Sequence, residues 1–177
     1  MVQIDIASLV ESGMEHRAID APPSDEQQQA FDKIVRWLNV RDRSQKEVRD
    51  RLLKNDCSPD VADDAIRRAV RCGLLDDLRF ADVLIRTRLT QGKGRKGIEH
   101  ELAELNICVG DVPDWPERYF PEGGPTEFDR AMALLERKPT RSKNPRAAAY
   151  RKLYVNGYSS SVAESASRAF VAQRFDF

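Results

Sequence analysis

The sequence predicts an all-α chain of three tandem three-helix repeats, elongated, with a shortened third helix in the middle repeat. Three observations lead there. Apolar residues recur at i, i+3, i+4 and i+7, with capping residues at the breaks between these stripes. The pattern restarts twice, about 50 residues apart. Of the 177 residues 33% are charged, which a thin shape accommodates better than a sphere because it offers more surface.

The first helix is carried by Phe31, Ile34, Val35 and Leu38, with Ser24 and Gln27 as a capping box at its start. Ser44 with Glu47 forms a second capping box, opening a helix that buries Val48, Leu52 and Leu53 and ends near Asn55. Ser58-Pro59-Asp60 supplies an N-cap, a proline at the first helical position and an acid in the first turn. This third helix buries Val61, Ala65, Ile66 and Ala69, and Gly73 stops it. The next cycle opens with Asp76 or Asp77 capping a helix whose inner face is Phe80, Val83, Leu84 and Thr87. After "GKGRKG" (92–97) come Ile98, Leu102 and Leu105, another helical stripe. The third helix of this cycle should fall in "GDVPDWPERYFPEGGPT", but Pro113, Pro116, Pro121 and Gly123-Gly124 forbid a long one. A turn or two near 117–120 remains, with Trp115, Tyr119 and Phe120 packed inward. The last cycle has a helix with Phe128, Ala131, Leu134 and Leu135, then "AAAYRKL" with Ala149 and Leu153 inward, then "SSSVAESASRAF" with Val162, Ala166 and Phe170.

Register supports the repeat. With Leu52, Leu102 and Leu153 aligned, Val48, Ile98 and Ala149 stand four residues earlier, and Cys57, Ile107 and Tyr158 five residues later. Ala69, Tyr119 and Phe170 stand seventeen later, and Ser44, Gly94 and Pro145 eight earlier. The expected division is an acidic, flexible tail over 1–26, then repeats over 27–74, 75–125 with its Pro/Gly-rich connector, and 126–177.

The 29 basic and 29 acidic residues cancel, but unevenly along the chain. Residues 1–30 hold six carboxylates against Arg17 alone. Positive charge gathers in "RDRSQK" (41–46), "RTRLTQGKGRK" (86–96) and "RKPTRSKNPR" (137–146). Cys57, Cys72 and Cys108 are widely spaced, with no C-x-x-C pair, and read as reduced structural thiols rather than zinc ligands. No run reaches the ~18 apolar residues of a membrane span, and the opening segment has no basic n-region, so a cytoplasmic protein is expected. No Ser/His/Asp set, Cys/His pair or paired-carboxylate cleft is evident; the expectation is no catalysis, no cofactor and no metal, with Asp76-Asp77 acting as a helix cap.

"GKGRKG" matches the G-x-G-x-x-G string of a dinucleotide-binding turn in letters only. That motif follows a buried strand, whereas the preceding segment here has helical spacing; no series of βα units follows, and no Walker sequence is present. Register makes Gly92 a left-handed helix end, Gly94 a turn between two helices and Gly97 a point of close packing. Arg86, Arg88, Lys93, Arg95 and Lys96, with the N–H groups of the following helix start, then form a positive patch. Such a patch suits phosphates, an acidic protein surface, or simply a solvated helix end.

"RDRSQKEVRDRLLKNDCSPDVADDAI", "GLLDDLRFADVLIRTRL" and "GKGRKGIEHELAELNI" together resemble the RecX regulatory proteins. The resemblance is close through 41–107 and looser to about 172. Its signature pieces are Ser44 after Arg43, the block Asp76-Asp77 with Phe80, and Gly92, Gly94 and Leu102. The resemblance implies a curved array of three-helix repeats and a non-enzymatic modulator, usually an inhibitor, of the RecA recombinase. Such a protein would bind in the groove of the RecA–DNA filament and hinder ATP hydrolysis, strand exchange and coprotease activity. Candidate contacts to filament or DNA are Arg41, Arg43, Lys46, Arg86, Arg88, Lys93, Arg95, Lys96, Arg141, Lys143 and Arg146. A monomer is expected, with RecA as partner and single- or double-stranded DNA as a further one. A stand-alone nucleic-acid-binding module is the alternative, distinguished by salt-steep DNA binding without RecA.

Overall fold

A computed structural model describes residues 24–139 and 142–175. Among these the chain forms eight α-helices and no strand: α1 (Asp25–Leu38), α2 (Gln45–Leu53), α3 (Pro59–Arg71), α4 (Asp77–Gln91), α5 (Arg95–Glu104), α6 (Glu127–Arg137), α7 (Pro145–Val155) and α8 (Ser160–Phe175). None of these helices is long and apolar enough to cross a membrane. The first 23 residues, most of the segment assigned to an acidic tail, lie outside the described residues, and α1 already includes Asp25 and Glu26.

The caps sit where local chemistry puts them. Ser24 and Gln27 exchange both capping-box bonds at the start of α1. Ser44 and Glu47 do the same before α2, and Ser44 is fully buried while doing so. Ser58 caps α3 with Pro59 in its first turn, and Asp76 accepts the N–H groups of Leu78 and Arg79 at the start of α4. Thr126 and Asp129 form one more capping box at α6.

The chain divides into two compact units. The first holds α1, the body of α2 from Val48, and α3. Its core is Ala30, Ile34, Val48, Leu52, Ala62, Ala65, Ile66 and Ala69. Arginine heads lie on aromatic faces at its margin, Arg68 over Phe31 at 4.0 Å and Arg51 over Trp37 at 4.5 Å.

The second unit holds Asp42–Glu47 and the chain from Leu75 onward. One cluster gathers Ala81, Ile85, Ile98, Leu102, Ile107, Val112 and Tyr119; the other gathers residues of α6, α7 and α8 around Leu135, Leu153 and Phe170. The expected inner face of α4 is corrected here. Ala81 and Ile85 are buried, Phe80 and Leu84 are partly buried, and Val83 and Thr87 face solvent. The helix is apolar at 80, 81, 83, 84 and 85, so its periodicity fits two rotations. The one adopted brings Arg88, one turn beyond Ile85 on the inner line, to Glu101 of α5. In α6 the buried set is Ala131, Met132, Leu134 and Leu135, with Phe128 36% exposed at the rim.

After α5 the prolines and glycines leave a 3₁₀ turn (Val109–Asp111) and a turn in which Tyr119 and Phe120 both donate to the Pro116 carbonyl. Trp115 packs against Tyr119 and Phe120 at 5.6 and 5.7 Å between ring centroids. The buried Tyr119 hydroxyl donates to Asp82 at 2.7 Å, and its titration is pushed up to about 12, first by burial and then by that bond. Thus a compact aromatic turn covers α4 and α5 in place of a third helix.

Repeat equivalence is visible in backbone detail. Asp56, Asn106 and Gly157, four residues after the aligned leucines, all adopt positive φ (58°, 60° and 83°). At each turn the next residue's N–H returns to the leucine carbonyl: Cys57 to Leu52 at 3.2 Å, Ile107 to Leu102 at 2.9 Å, Tyr158 to Leu153 at 3.1 Å.

Candidate interaction surface

The "GKGRKG" loop joins α4 to α5. Gly92 ends α4 in the left-handed conformation (φ 85°), and Gly94 is the N-cap of α5 without a side-chain cap. What caps α5 is the turn between α7 and α8. The Gly94 N–H donates to the Asn156 carbonyl at 2.9 Å and the Gly97 N–H to the Gly157 carbonyl at 3.0 Å. The Arg95 N–H donates to Glu127 Oε1 at 2.7 Å. Tyr158, 2% exposed, donates its hydroxyl to the Gly92 carbonyl at 3.1 Å, and burial pushes its titration up to about 12. Arg137 completes the joint by donating to the carbonyls of Thr90 and Gln91 at the end of α4.

Three glycines allow this approach. A Cβ on Gly94 would lie 2.6 Å from the Gly157 oxygen, one on Gly97 2.8 Å from the Gly157 Cα, and one on Gly157 2.2 Å from the Gly97 Cα. The expectation of N–H groups available to an external phosphate is therefore corrected. Those of Gly94, Arg95 and Gly97 are filled from within the second unit. A parallel bond exists at α2, where the Gln45 N–H donates to Asp77 Oδ1 at 2.8 Å. Gln45 and Asp77 stand 50 residues before Arg95 and Glu127, so the repeats reuse one device. Burial raises the Asp77 carboxyl above its ordinary range against the opposing pull of that N–H.

Much of the loop's positive charge is also matched internally. Arg88 donates to Glu101 from Nε at 2.8 Å and Nη2 at 2.5 Å, a bidentate grip by one guanidinium edge, and Lys93 Nζ reaches the same carboxylate at 2.7 Å. The Arg88 guanidinium, with Lys93 behind it, holds the Glu101 carboxyl down at about 2. Arg86 pairs with Asp82 at 3.0 Å and Arg95 with Glu99 at 2.9 Å. Lys96 is exposed, and no carboxylate among the described residues pairs with it.

The other candidate contacts are spread out. Arg41 is exposed, and Arg43 and Lys46 are half-buried around the start of α2. Lys143 is exposed ahead of α7, Arg141 lies outside the described residues, and Arg146 pairs with Glu164. Among the signature residues, Leu102 is fully buried and Phe80 partly so, while Ser44, Asp76, Asp77, Gly92 and Gly94 make the caps and joints above.

Sequence reading did not single out a groove along α7 and α8, about 840 Å³ in volume. Tyr150 and Tyr154 line it, near-parallel (12°) with ring centroids 6.1 Å apart. The signal was present in the i, i+4 spacing of two tyrosines beside three cations in "PRAAAYRKLYV".

The chain is similar to known proteins in sequence and in fold. Residues 30–68 match the family model described as RecX, first three-helix domain. The regulatory protein RecX of Halalkalibacterium halodurans is 31% identical over 154 residues, covering 80% of this chain and 54% of that protein. The chain belongs to the RecX family. The regulatory protein RecX of Listeria welshimeri is 29% identical over 143 residues, covering 77% of this chain and 52% of its own. The chain thus spans about half the length of these RecX relatives. The fold is that of a RecX crystal structure from Lactobacillus salivarius, with a TM-score of 0.62 at 19% identity, covering 84% of this chain and 98% of that one.

Proposed function

We propose that this RecX-family chain is a non-enzymatic modulator of the RecA recombinase and acts as an inhibitor. It binds along the groove of the RecA–DNA filament and hinders ATP hydrolysis, strand exchange and coprotease activity. The observation that carries the reading is family membership: similarity to regulatory RecX proteins extends over four-fifths of the chain. The capped, repeated helices supply a scaffold suited to surface recognition rather than to a reaction. The chain works as a cytoplasmic monomer, with repeats over 27–74, 75–125 and 126–177, and its filament contacts come from exposed cations, Lys96 and Lys143 among them.

The test is DNA-dependent ATP hydrolysis by the RecA of the same organism, with purified chain added. Slowed hydrolysis and co-sedimentation with filaments are expected. Unchanged hydrolysis at stoichiometric excess, with no co-sedimentation, would rule the reading out.

A further inference from the structure

The α7–α8 groove brings two tyrosines and two arginines together. From Arg137 to Ala163 the sequence carries seven cations and no carboxylate, and two of these cations, Arg146 and Arg151, line the groove. Of the two arginines that line the groove, Arg146 pairs with Glu164 and Arg151 has no carboxylate partner among the described residues, whereas around α4 and α5 Arg86, Arg88, Lys93 and Arg95 each meet an acid. Along α7, Arg146, Tyr150 and Tyr154 form one i, i+4, i+8 stripe about 12 Å long. Tyr154 is 58% exposed, and its ring stands parallel to that of Tyr150. Arg151, Asn144 and Ser161 border the rings and add a charge and hydrogen-bonding groups. The one carboxylate in the groove, Glu164, is held by both Arg146 and Arg168, which depress its titration, so that trio is net positive.

We propose that this groove binds single-stranded nucleic acid, with Tyr150 and Tyr154 stacking on bases and Arg146 and Arg151 following the phosphates. Aromatic faces beside a cationic track are what an unpaired strand requires, because every base has a π-face and every linkage a charge. An acidic peptide would use the cations but gain nothing from parallel rings. A duplex hides its base faces and could not use them either.

The experiment is fluorescence anisotropy of a labelled oligothymidylate with the whole chain, in the absence of RecA, so its outcome is separate from that of the inhibition assay. The wild-type chain should bind with a log–log salt slope of about −0.7 per phosphate neutralised. Tyr154→Ala should weaken binding by roughly 5- to 150-fold, the range for loss of one stacked base, while Tyr154→Phe stays near wild type. Arg151→Ala should reduce the slope by about 0.7. Circular dichroism confirms that each variant is folded; Tyr154 and Arg151 are exposed, so unchanged helicity is expected. The proposal is overturned if the strand does not bind at low salt, or if Tyr154→Ala binds as wild type does. It is equally overturned if polyglutamate or duplex displaces the strand as effectively as unlabelled oligothymidylate.

Discussion

At Gly157 the backbone has φ 83°, and an added Cβ would stand 2.2 Å from the Gly97 Cα. Gly73 also has positive φ, 68°, but a Cβ there meets nothing within 4 Å. The pair separates backbone strain from close contact. Gly73→Ala should cost about 1–2 kcal/mol, the left-handed penalty alone. Gly157→Ala should cost about 2–5 kcal/mol, because overpacking adds to it. Thermal melts followed by circular dichroism compare the two, and equal losses would mean the glycine joint carries no tight contact. Glu101 offers a pH test. Its folded titration near 2 lies below the ordinary 4.5, so its contribution is present above about pH 4.5 and disappears as pH falls towards 2. Glu101→Gln should therefore be less stable by about 1–2 kcal/mol at neutral pH, between exposed and buried ion-pair values. That difference should vanish near pH 2, as urea melts across the range would record.

For the helices, starts were legible in the sequence and rotations were not always. Ser24, Ser44, Ser58 and Asp76 cap because the chemistry is contained within three or four residues, and so it can be read from a short string. The inner face of α4 depends on a partner outside that string. Phe80 with Leu84 and Ala81 with Ile85 are both acceptable apolar lines, and the pairing of Arg88 with Glu101, thirteen residues on, accompanies the second. The same rotation ranks substitutions along α4. Ile85→Ala, at a fully buried site, should cost about 2–5 kcal/mol. Val83→Ala, 49% exposed, should stay within about 0.5 kcal/mol. Phe80→Ala should fall between them, since the ring is only partly buried. A reversed order in chemical denaturation would return α4 to the face Phe80–Val83–Thr87.

At the scale of the molecule, what the sequence hid is how distant pieces complete one another. "GKGRKG" was legible as a junction, since glycines between two helical stripes imply one. Its partner was not, because the carbonyls of Asn156 and Gly157 have no side-chain signature to read. The groove tyrosines were ambiguous for a different reason: an i, i+4 aromatic pair reads equally as core until burial is known. The closed junction changes what a charge-removal experiment on the loop would report. Replacing Lys93, Arg95 and Lys96 together by Ala would strip Glu101 of one of its two cations and Glu99 of its partner. The triple variant should lose stability, about 1–2 kcal/mol from the half-buried pair, and any loss of the proposed RecA inhibition would be confounded with it. Lys96→Glu avoids this, because the side chain is exposed and reverses a charge without breaking a pair. Its melting should match wild type within about 0.5 kcal/mol. If the loop touches the filament, inhibition of RecA ATP hydrolysis should weaken and grow more so at low salt, where exposed charges are least screened. Full inhibition by a normally folded Lys96→Glu chain would mean that this loop serves only as the joint with the α7–α8 turn, and that filament contact lies elsewhere.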